Sequence, residues 1–145
     1  MSSDLAPSFD ELQNVDLARL RRNVADEGFK PLDNVGLRGQ HDEWLICNLI
    51  SRDLSGSTDL NVSWSKMLPG QHHLCHHHPD ASEFIVFLEG TPLVHLGSKQ
   101  FRARPGDGIY IPYDVIHGVT NDTDTVCEMI VGLSKPADWQ FIFDE

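Results

Sequence analysis

The sequence predicts a single all-β domain, a sandwich or barrel of short strands, preceded by one short helix. Three observations support this fold. From residue 43 onward apolar residues occur in short or alternating runs, turn residues such as Pro69-Gly70 and Asn121-Asp122 separate these runs, and no fixed repeat or composition break divides the chain. About ten short strands joined by tight turns are typical of a barrel or sandwich. We expect an N-terminal appendage over residues 1–42 and a β-domain over residues 43–145.

The predicted helix begins at Ser8-Phe9-Asp10-Glu11. This pattern is typical of a capping box, in which side chains satisfy free backbone N–H groups of the first turn. Four apolar residues follow at near-helical spacing, and Gly28 and Pro31 end the segment. The four are Leu12, Val15, Leu20 and Val24. We therefore expect one N-terminal helix attached to the β-domain.

The predicted strands follow the apolar runs in chain order. Turns at Glu89-Gly90, Gly97-Ser98 and Pro105-Gly106 separate several of them, because these residues favour the backbone angles of tight turns. The runs cover residues 44–50, 60–67, 71–78, 83–88, 91–96, 101–103, 108–111, 117–120, 125–131 and 140–143.

Composition limits the function classes. The chain has 145 residues with 22 acidic against 11 basic side chains, a formal net charge of −11 and 40% hydrophobic residues. It is long enough to bury a proper core, and its acidity argues against nucleic acid and anionic membranes as partners. We found no bilayer-length apolar run and no signal-peptide pattern, so we expect a cytoplasmic protein. Cys47, Cys75 and Cys127 lack the spacing of a disulfide framework or a thiolate zinc site, which indicates idle or buried thiols.

Residues 72–83 hold five histidines and a glutamate, and this pattern indicates a metal-binding site. Side chains two residues apart on a strand point to the same face, so His76 and His78 share a face. Glu83 on the next strand adds a carboxylate, and imidazole and carboxylate groups together suit a divalent transition metal. His117 follows the Pro112 turn and begins a later strand, which makes it the natural fourth ligand. The patch is internal and flanked by strand signals, unlike a purification tag.

The spacing of these residues resembles the first motif of the cupin superfamily. Five residues separate Gly70 from His76-x-His78, four more separate this pair from Glu83, and six separate Glu83 from Gly90. Every defined position of that motif is matched.

The second cupin motif is matched with one departure. Five residues separate Gly106 from Pro112, His117 follows, and Asn121 comes after three more. Asp114 stands where the family pattern has Gly. Glycine tolerates a positive φ angle better than aspartate does, so this departure concerns the shape of a loop.

The resemblance implies a double-stranded β-helix, or jelly-roll, barrel with a metal near its middle and one end open to substrate. It assigns the metal to His76, His78, Glu83 and His117, and it implies a divalent transition metal. We expect Fe(II) first, with Mn, Ni, Zn or Cu as alternatives. Homodimers are common in the family, so we also expect a homodimer.

Further residues have two readings each. His72 shares the parity of His76 and could act as a catalytic group or be a hydrogen-bonded strand residue, whereas His73 and His77 have the opposite parity and should point away from the metal. Tyr110 is a second catalytic candidate and could equally be plain packing. The same two interpretations apply to Trp64 and Lys66, and Lys66, Arg102 and Arg104 are candidates for holding an anionic substrate.

The C-terminal residues Trp139, Phe141 and Phe143 form an alternating aromatic strip. This strip either packs on the barrel or pairs with a second chain.

Three functions fit this site. The first is a dioxygenase or other oxidoreductase that uses Fe(II) on a small organic substrate, because four protein ligands leave up to two of about six positions free. The second is a redox-neutral isomerase, lyase or decarboxylase acting on a small carboxylate or sugar derivative, with His72, Tyr110 or Lys66 moving the proton. The third is a ligand-binding barrel without catalysis.

Overall fold

The computed structural model describes residues 6, 8, 13–32 and 44–144, and its secondary structure is mostly β. The strands are β1 (Lys30–Pro31), β2 (Leu45–Ile50), β3 (Asn61–Met67), β4 (His72–His77), β5 (Glu83–Glu89), β6 (Leu93–Leu96), β7 (Lys99–Arg102), β8 (Gly108–Ile111), β9 (His117–Thr120), β10 (Cys127–Leu133) and β11 (Ile142–Phe143). Three short helices, α1 (Leu17–Leu20), α2 (Val24–Glu27) and α3 (Arg52–Ser55), lie among the described residues. None of these helices is long and apolar enough to cross a membrane.

The strands form two antiparallel sheets that face each other as a jelly-roll barrel. One sheet has the order β1-β2-β3-β10-β5-β8 and the other the order β11-β4-β9-β6-β7. Each of the ten predicted strands has a counterpart, and β1 is the one strand of the described residues that was not predicted. The all-β prediction is therefore confirmed. The predicted boundary between appendage and β-domain falls within residues 33–43, outside the described residues.

The predicted single N-terminal helix is wrong over the described residues. Two four-residue helices, α1 and α2, stand in its place, and Arg21 between them has an extended backbone. Val15, Leu17 and Leu20 are each more than half exposed, so no apolar face is buried that could hold a longer helix together. Most of the predicted capping box, together with Leu12, lies outside the described residues.

The interior of the barrel changes from apolar to polar along its length. On β3 the inward-facing residues run from Met67 through Ser65 and Ser63 to Asn61, all of them buried. Met67 packs with Phe87 and other fully buried residues in the hydrophobic core. The serine and asparagine end faces the histidine-rich region, so the barrel separates a packed core from a polar cavity.

A β-bulge interrupts the pairing of β4 with β9. His73 pairs with Val119 and His76 pairs with His117, so three steps along β4 match two steps along β9. The extra residue fits because Gly118 lies opposite it without a side chain: a Cβ there would approach the Cys75 Sγ and the His73 carbonyl oxygen at 3.0 Å each. An extra residue also shifts the phase of the strand, so side chains three residues apart face the same side.

The C-terminal segment, residues 135–144, packs on the barrel of its own chain. Strand β11 pairs with β4, with Phe143 opposite His76. Asp80 holds the segment in two places, since its carboxylate accepts from the Lys135 Nζ at 2.6 Å and from the Gln140 backbone N–H at 2.8 Å. Of the two alternatives for the aromatic strip, the structure supports packing on the barrel.

Candidate metal centre

Four side chains converge where the two sheets meet. His76 and His117 are cross-strand partners on β4 and β9, His78 directly follows β4, and Glu83 begins β5 on the other sheet. All four are buried, and one possible ligand atom from each lies within 4.8 Å of every other. The structure thus brings together the four residues that the sequence analysis selected as metal ligands.

Backbone carbonyl groups orient the three histidines of this cluster. His76 Nδ1 lies 2.7 Å from the Leu74 carbonyl oxygen, and His117 Nδ1 lies 2.9 Å from the Val115 carbonyl oxygen. His78 Nδ1 reaches a distant part of the chain, 2.6 Å from the carbonyl oxygen of Gln140. A carbonyl oxygen can only accept, so each Nδ1 carries the hydrogen and each Nε2 is the nitrogen left to coordinate a metal.

The charges of the cluster suit metal binding. Burial alone would raise the pKa of Glu83, but contacts with the Nε2 atoms of His117, at 3.0 Å, and His78, at 3.2 Å, outweigh it and lower the pKa to about 2. Glu83 is therefore an ionised carboxylate at neutral pH. Burial, followed by the neighbouring His73 and His117, holds the pKa of His76 well below its usual range, so its ring is neutral.

His117 differs from His76 because it faces the carboxylate. Burial lowers its pKa, but the hydrogen bond and charge of Glu83 outweigh this effect, and the pKa of His117 is raised. A metal that binds at Nε2 would displace the proton that this nitrogen shares with Glu83. The set of three imidazoles and one carboxylate fits a divalent transition metal.

A cavity of about 300 Å³ lies beside the cluster. Its described lining includes His73, His76, His78 and Glu83, and it contains no lysine or arginine. The remaining lining is apolar or uncharged: Leu32, Trp44, Ile46, Asn48, Asn61, Ser63, Val131, Leu133, Trp139 and Phe141.

The prediction that His73 points away from the metal is wrong. His73 is buried, lines the cavity, and its ring centroid lies 4.2 Å from that of His76. The bulge in β4 explains this, because it places side chains three residues apart on one side of the strand. His77 has the predicted outward orientation: its Nδ1 lies 2.8 Å from an Asp144 carboxylate oxygen, away from the cluster.

Neither of the two predicted catalytic residues lines the cavity among its described residues. Tyr110 is 63% exposed and lies opposite Phe84 on the outer face of β5 and β8. His72 is half-buried, and the bulge gives the inward position of β4 to His73 instead. Neither side chain therefore lies among the described residues that line this cavity, and their catalytic roles stay predictions.

The basic residues considered for an anionic substrate also lie elsewhere. The Lys66 Nζ lies over the Phe29 ring, 4.3 Å from its centroid, and Arg102 forms an ion pair with Asp122. The side chain of Arg104 is 84% exposed. Trp64 donates its indole N–H to a Glu128 carboxylate oxygen at 2.8 Å, which places it on the outer face of β3.

Two parts of the cavity were missed in the sequence analysis. Phe141 stacks on the His76 ring, with centroids 4.2 Å apart and planes 11° apart. No sequence pattern pairs two residues so far apart in the chain. Asn61 and Ser63 could have been found, because polar residues alternate along β3 at positions that would otherwise carry apolar side chains.

The loop before His117 adopts the conformation expected at the position where the cupin pattern has glycine. Asp114 has φ of +68°, a left-handed value, and its backbone N–H donates to the His78 carbonyl oxygen at 3.0 Å. The side chain also lies near His77, with its Oδ1 3.9 Å from Nε2. Asp114 therefore adopts a positive φ angle that glycine would adopt at a lower conformational cost.

Comparisons with known proteins agree with this architecture. Residues 63–132 match a family model described as a cupin domain. A curated relative named "Polyketide synthase CurC", from Streptomyces cyaneus, is 33% identical over 82 residues, which cover 57% of this chain and 53% of that protein. The chain covers 53% and 64% of the lengths of two curated relatives that it matches.

Solved structures with low sequence identity have the same fold. A "predicted oxalate decarboxylase" from Thermotoga maritima has a TM-score of 0.68 at 19% identity, covering 78% of this chain and 96% of its own. A sugar phosphate isomerase from a cupin superfamily, from Silicibacter pomeroyi, has a TM-score of 0.60 at 21% identity, covering 69% of this chain and 66% of its own. At such identities the similarity establishes the fold alone.

Proposed function

We propose that this chain, which contains a cupin domain, is a metal-dependent enzyme in which His76, His78, Glu83 and His117 bind one divalent transition metal. The observation that carries the proposal is the hydrogen bonding of the three histidines. Each Nδ1 lies against a backbone carbonyl oxygen, so each Nε2 is available to coordinate. An ionised glutamate completes the set.

The free positions of such a metal support catalysis. Four protein ligands leave up to two positions of about six for substrate or dioxygen. When bound, the metal would supply Lewis acidity to a substrate oxygen, and Fe(II) would in addition supply dioxygen chemistry. The chain's own part is to hold the substrate beside the cluster in a cavity with a largely apolar lining.

We favour an Fe(II)-dependent dioxygenase or related oxidoreductase acting on a small organic substrate. Outside the four ligands, His73 is the only titratable side chain in the described lining of the cavity. A reaction that depends on protein groups for proton transfer has few candidates in such a site, whereas dioxygen chemistry at a metal needs fewer of them.

A redox-neutral reaction is the second candidate, and one observation favours it. The ring of His73 lies 4.2 Å from that of His76, close enough for its imidazole to move a proton at a substrate held beside the metal. This residue replaces His72, Tyr110 and Lys66 as the candidate proton carrier. The similarity to CurC, a protein named as a polyketide synthase, suggests an oxygen-rich polyketide as one substrate of either reaction.

The test begins with the metal content of protein purified anaerobically without a tag. We expect near-stoichiometric metal in the wild type and its loss in His76→Ala, because one imidazole ligand is removed. Glu83→Gln should weaken binding less, since an amide oxygen can still coordinate but carries no charge. His95→Ala is the matched control, because His95 lies outside the cluster and contacts Gln100.

The identity of the metal and the use of oxygen then separate the alternatives. Iron together with substrate-dependent oxygen uptake supports the dioxygenase. Turnover that continues without oxygen supports the redox-neutral reaction. Wild type with no more metal than folded His76→Ala refutes the metal site and leaves a ligand-binding barrel.

A further inference from the structure

The indole N–H of Trp44 is a buried hydrogen-bond donor that has no acceptor within the described part of the chain. Trp44 is 6% exposed, and its Nε1 has no hydrogen-bond partner among the described residues. A buried polar group left unsatisfied costs about 1–3 kcal/mol, so most such groups in folded proteins have a partner. A bound ligand that accepts this hydrogen bond would remove the cost.

The position of Trp44 connects this donor to the metal cluster. Trp44 lines the cavity directly before β2, where its backbone carbonyl accepts from the Leu32 N–H at 3.0 Å. Its ring centroid lies 4.0 Å from that of His73, which in turn lies 4.2 Å from that of His76. A ligand in the cavity would therefore lie beside the metal ligands and the Trp44 ring, and a small shift of the groups that cover Nε1 would bring an acceptor to it.

The remaining lining indicates which ligand chemistry fits. The described lining contains no lysine or arginine, and its other polar side chains include the uncharged Asn48, Asn61 and Ser63. A small dicarboxylate would place its second carboxylate among described lining residues that offer no cation to compensate for the lost hydration. Aromatic side chains of Trp44, Trp139 and Phe141 instead offer flat apolar surfaces.

We propose that Trp44 Nε1 positions the substrate by donating a hydrogen bond to it, and that the substrate is a largely apolar, planar molecule with uncharged oxygen acceptors rather than a small dicarboxylate. This inference rests on the proposed function, because it places the substrate in the cavity beside the metal cluster. Trp44 acts as a specificity-determining residue at that site.

The test uses 1,8-dihydroxyanthraquinone as a planar probe and oxalate as the contrasting dicarboxylate. We compare the dissociation constant of the probe for the full chain, for Trp44→Phe and for the matched control Trp64→Phe. Trp44→Phe keeps an aromatic ring but removes the donor, and should weaken binding about 3- to 10-fold, the equivalent of one neutral hydrogen bond. Trp64→Phe should leave binding unchanged, since the Trp64 indole bonds Glu128 outside the cavity.

A second measurement needs no variant to fold. The chain has three tryptophans, so its nitrogen-15 spectrum has three indole N–H signals, and the probe should shift the signal of Trp44. Oxalate at the same concentration should leave it unmoved. The inference is overturned by equal probe affinity of wild type and folded Trp44→Phe, by an unmoved Trp44 signal, or by tighter binding of oxalate than of the probe.

Metal content is measured separately on the same samples, which distinguishes the two ideas. If the protein is loaded with metal and the probe does not shift the Trp44 signal, this inference is refuted and the metal site stands. Protein that binds no metal but loses probe affinity in Trp44→Phe refutes the proposed function and keeps the binding role of Trp44.

Discussion

The β-bulge opposite Gly118 leads to a quantitative prediction. In Gly118→Ala the new Cβ would lie 3.0 Å from the Cys75 Sγ, 3.0 Å from the His73 carbonyl oxygen and 3.2 Å from the Cys75 backbone nitrogen. Two of these three atoms belong to the backbone, so the strand itself must shift. Overpacking of this kind costs about 1–3 kcal/mol.

Part of that cost is offset by the unfolded state. Alanine has less backbone freedom than glycine, which stabilises the folded chain by about 0.5–1 kcal/mol at a compatible site. We therefore expect a net loss of about 0–2.5 kcal/mol against wild type, and the full cost of about 1–3 kcal/mol against the same glycine-to-alanine change at an open site. For a domain of this size the full cost lowers the melting temperature by about 3–9 °C, at about 3 °C per kcal/mol.

Gly108→Ala is the matched control for the same chemical change. A Cβ at Gly108 has no heavy atom within 4 Å, and its φ is not positive. The assay is thermal unfolding of both variants and the wild type in chelator, followed by metal titration. Because Gly118 follows His117 and the bulge aims His76, Gly118→Ala should also bind metal more weakly than Gly108→Ala.

One result would refute this reasoning. If Gly118→Ala melts within about 1 °C of Gly108→Ala and binds metal equally well, the bulge does not depend on the missing side chain. The orientation of His73 and His76 would then need another explanation.

Three further predictions concern the surroundings of the cluster. Burial raises the pKa of Asp80, but hydrogen bonds from Lys135 and from a backbone N–H outweigh it and place the pKa below its ordinary value of 3.8. Such a depressed pKa stabilises the fold above pH 3.8, and the effect is lost as pH falls through the lower folded pKa. Asp80→Asn should therefore be less stable than wild type at pH 7 by about 1 kcal/mol, and the difference in melting temperature should shrink below pH 4. A constant gap would contradict this. Phe141→Ala removes the ring stacked on His76 and should speed metal release about tenfold in chelator competition, whereas unchanged release would mean that the stack does not shield the site. Asp114→Gly should be as stable as wild type or more so, and Asp114→Ala less stable, because φ is +68° at this position; a denaturant midpoint that falls in the glycine variant would contradict this.

Local patterns were enough to predict the strands and the four clustered side chains. Alternating apolar residues set each strand, and His76, His78, Glu83 and His117 stand at spacings that survive folding because they lie at strand ends next to tight turns. The left-handed backbone of Asp114 was likewise predictable from the position it occupies.

The orientation of His73 could not be predicted by the same logic. Strict alternation holds only while a strand pairs without insertion, and one extra residue in β4 reverses the parity of everything before it. The bulge depends on Gly118, which lies in another strand, so its effect on β4 appears only after pairing. The contribution of Trp44 and Phe141 to the cavity was missed for a related reason, because both residues reach it from distant parts of the chain.

The prediction of one N-terminal helix was wrong because apolar periodicity alone does not ensure that the apolar face of a helix is buried. Of the apolar side chains that predicted it, Val15 and Leu20 remain more than half exposed, and so does Leu17 between them. Short helices depend on tertiary packing for most of their stability, and this segment lacks it at those residues.

The hydrogen bond from His78 to the Gln140 carbonyl oxygen makes the orientation of one metal ligand depend on when the C-terminal segment docks during folding. His76 and His117 take their orientation from carbonyls only two residues away, so these rings can be set as soon as their own strands pair. His78 depends on a residue 62 positions further along, and docking of β11 must therefore precede a fully oriented set of ligands. A chain in which β11 has not yet docked should therefore hold metal more loosely, because one of its three imidazole ligands lacks the carbonyl that orients it.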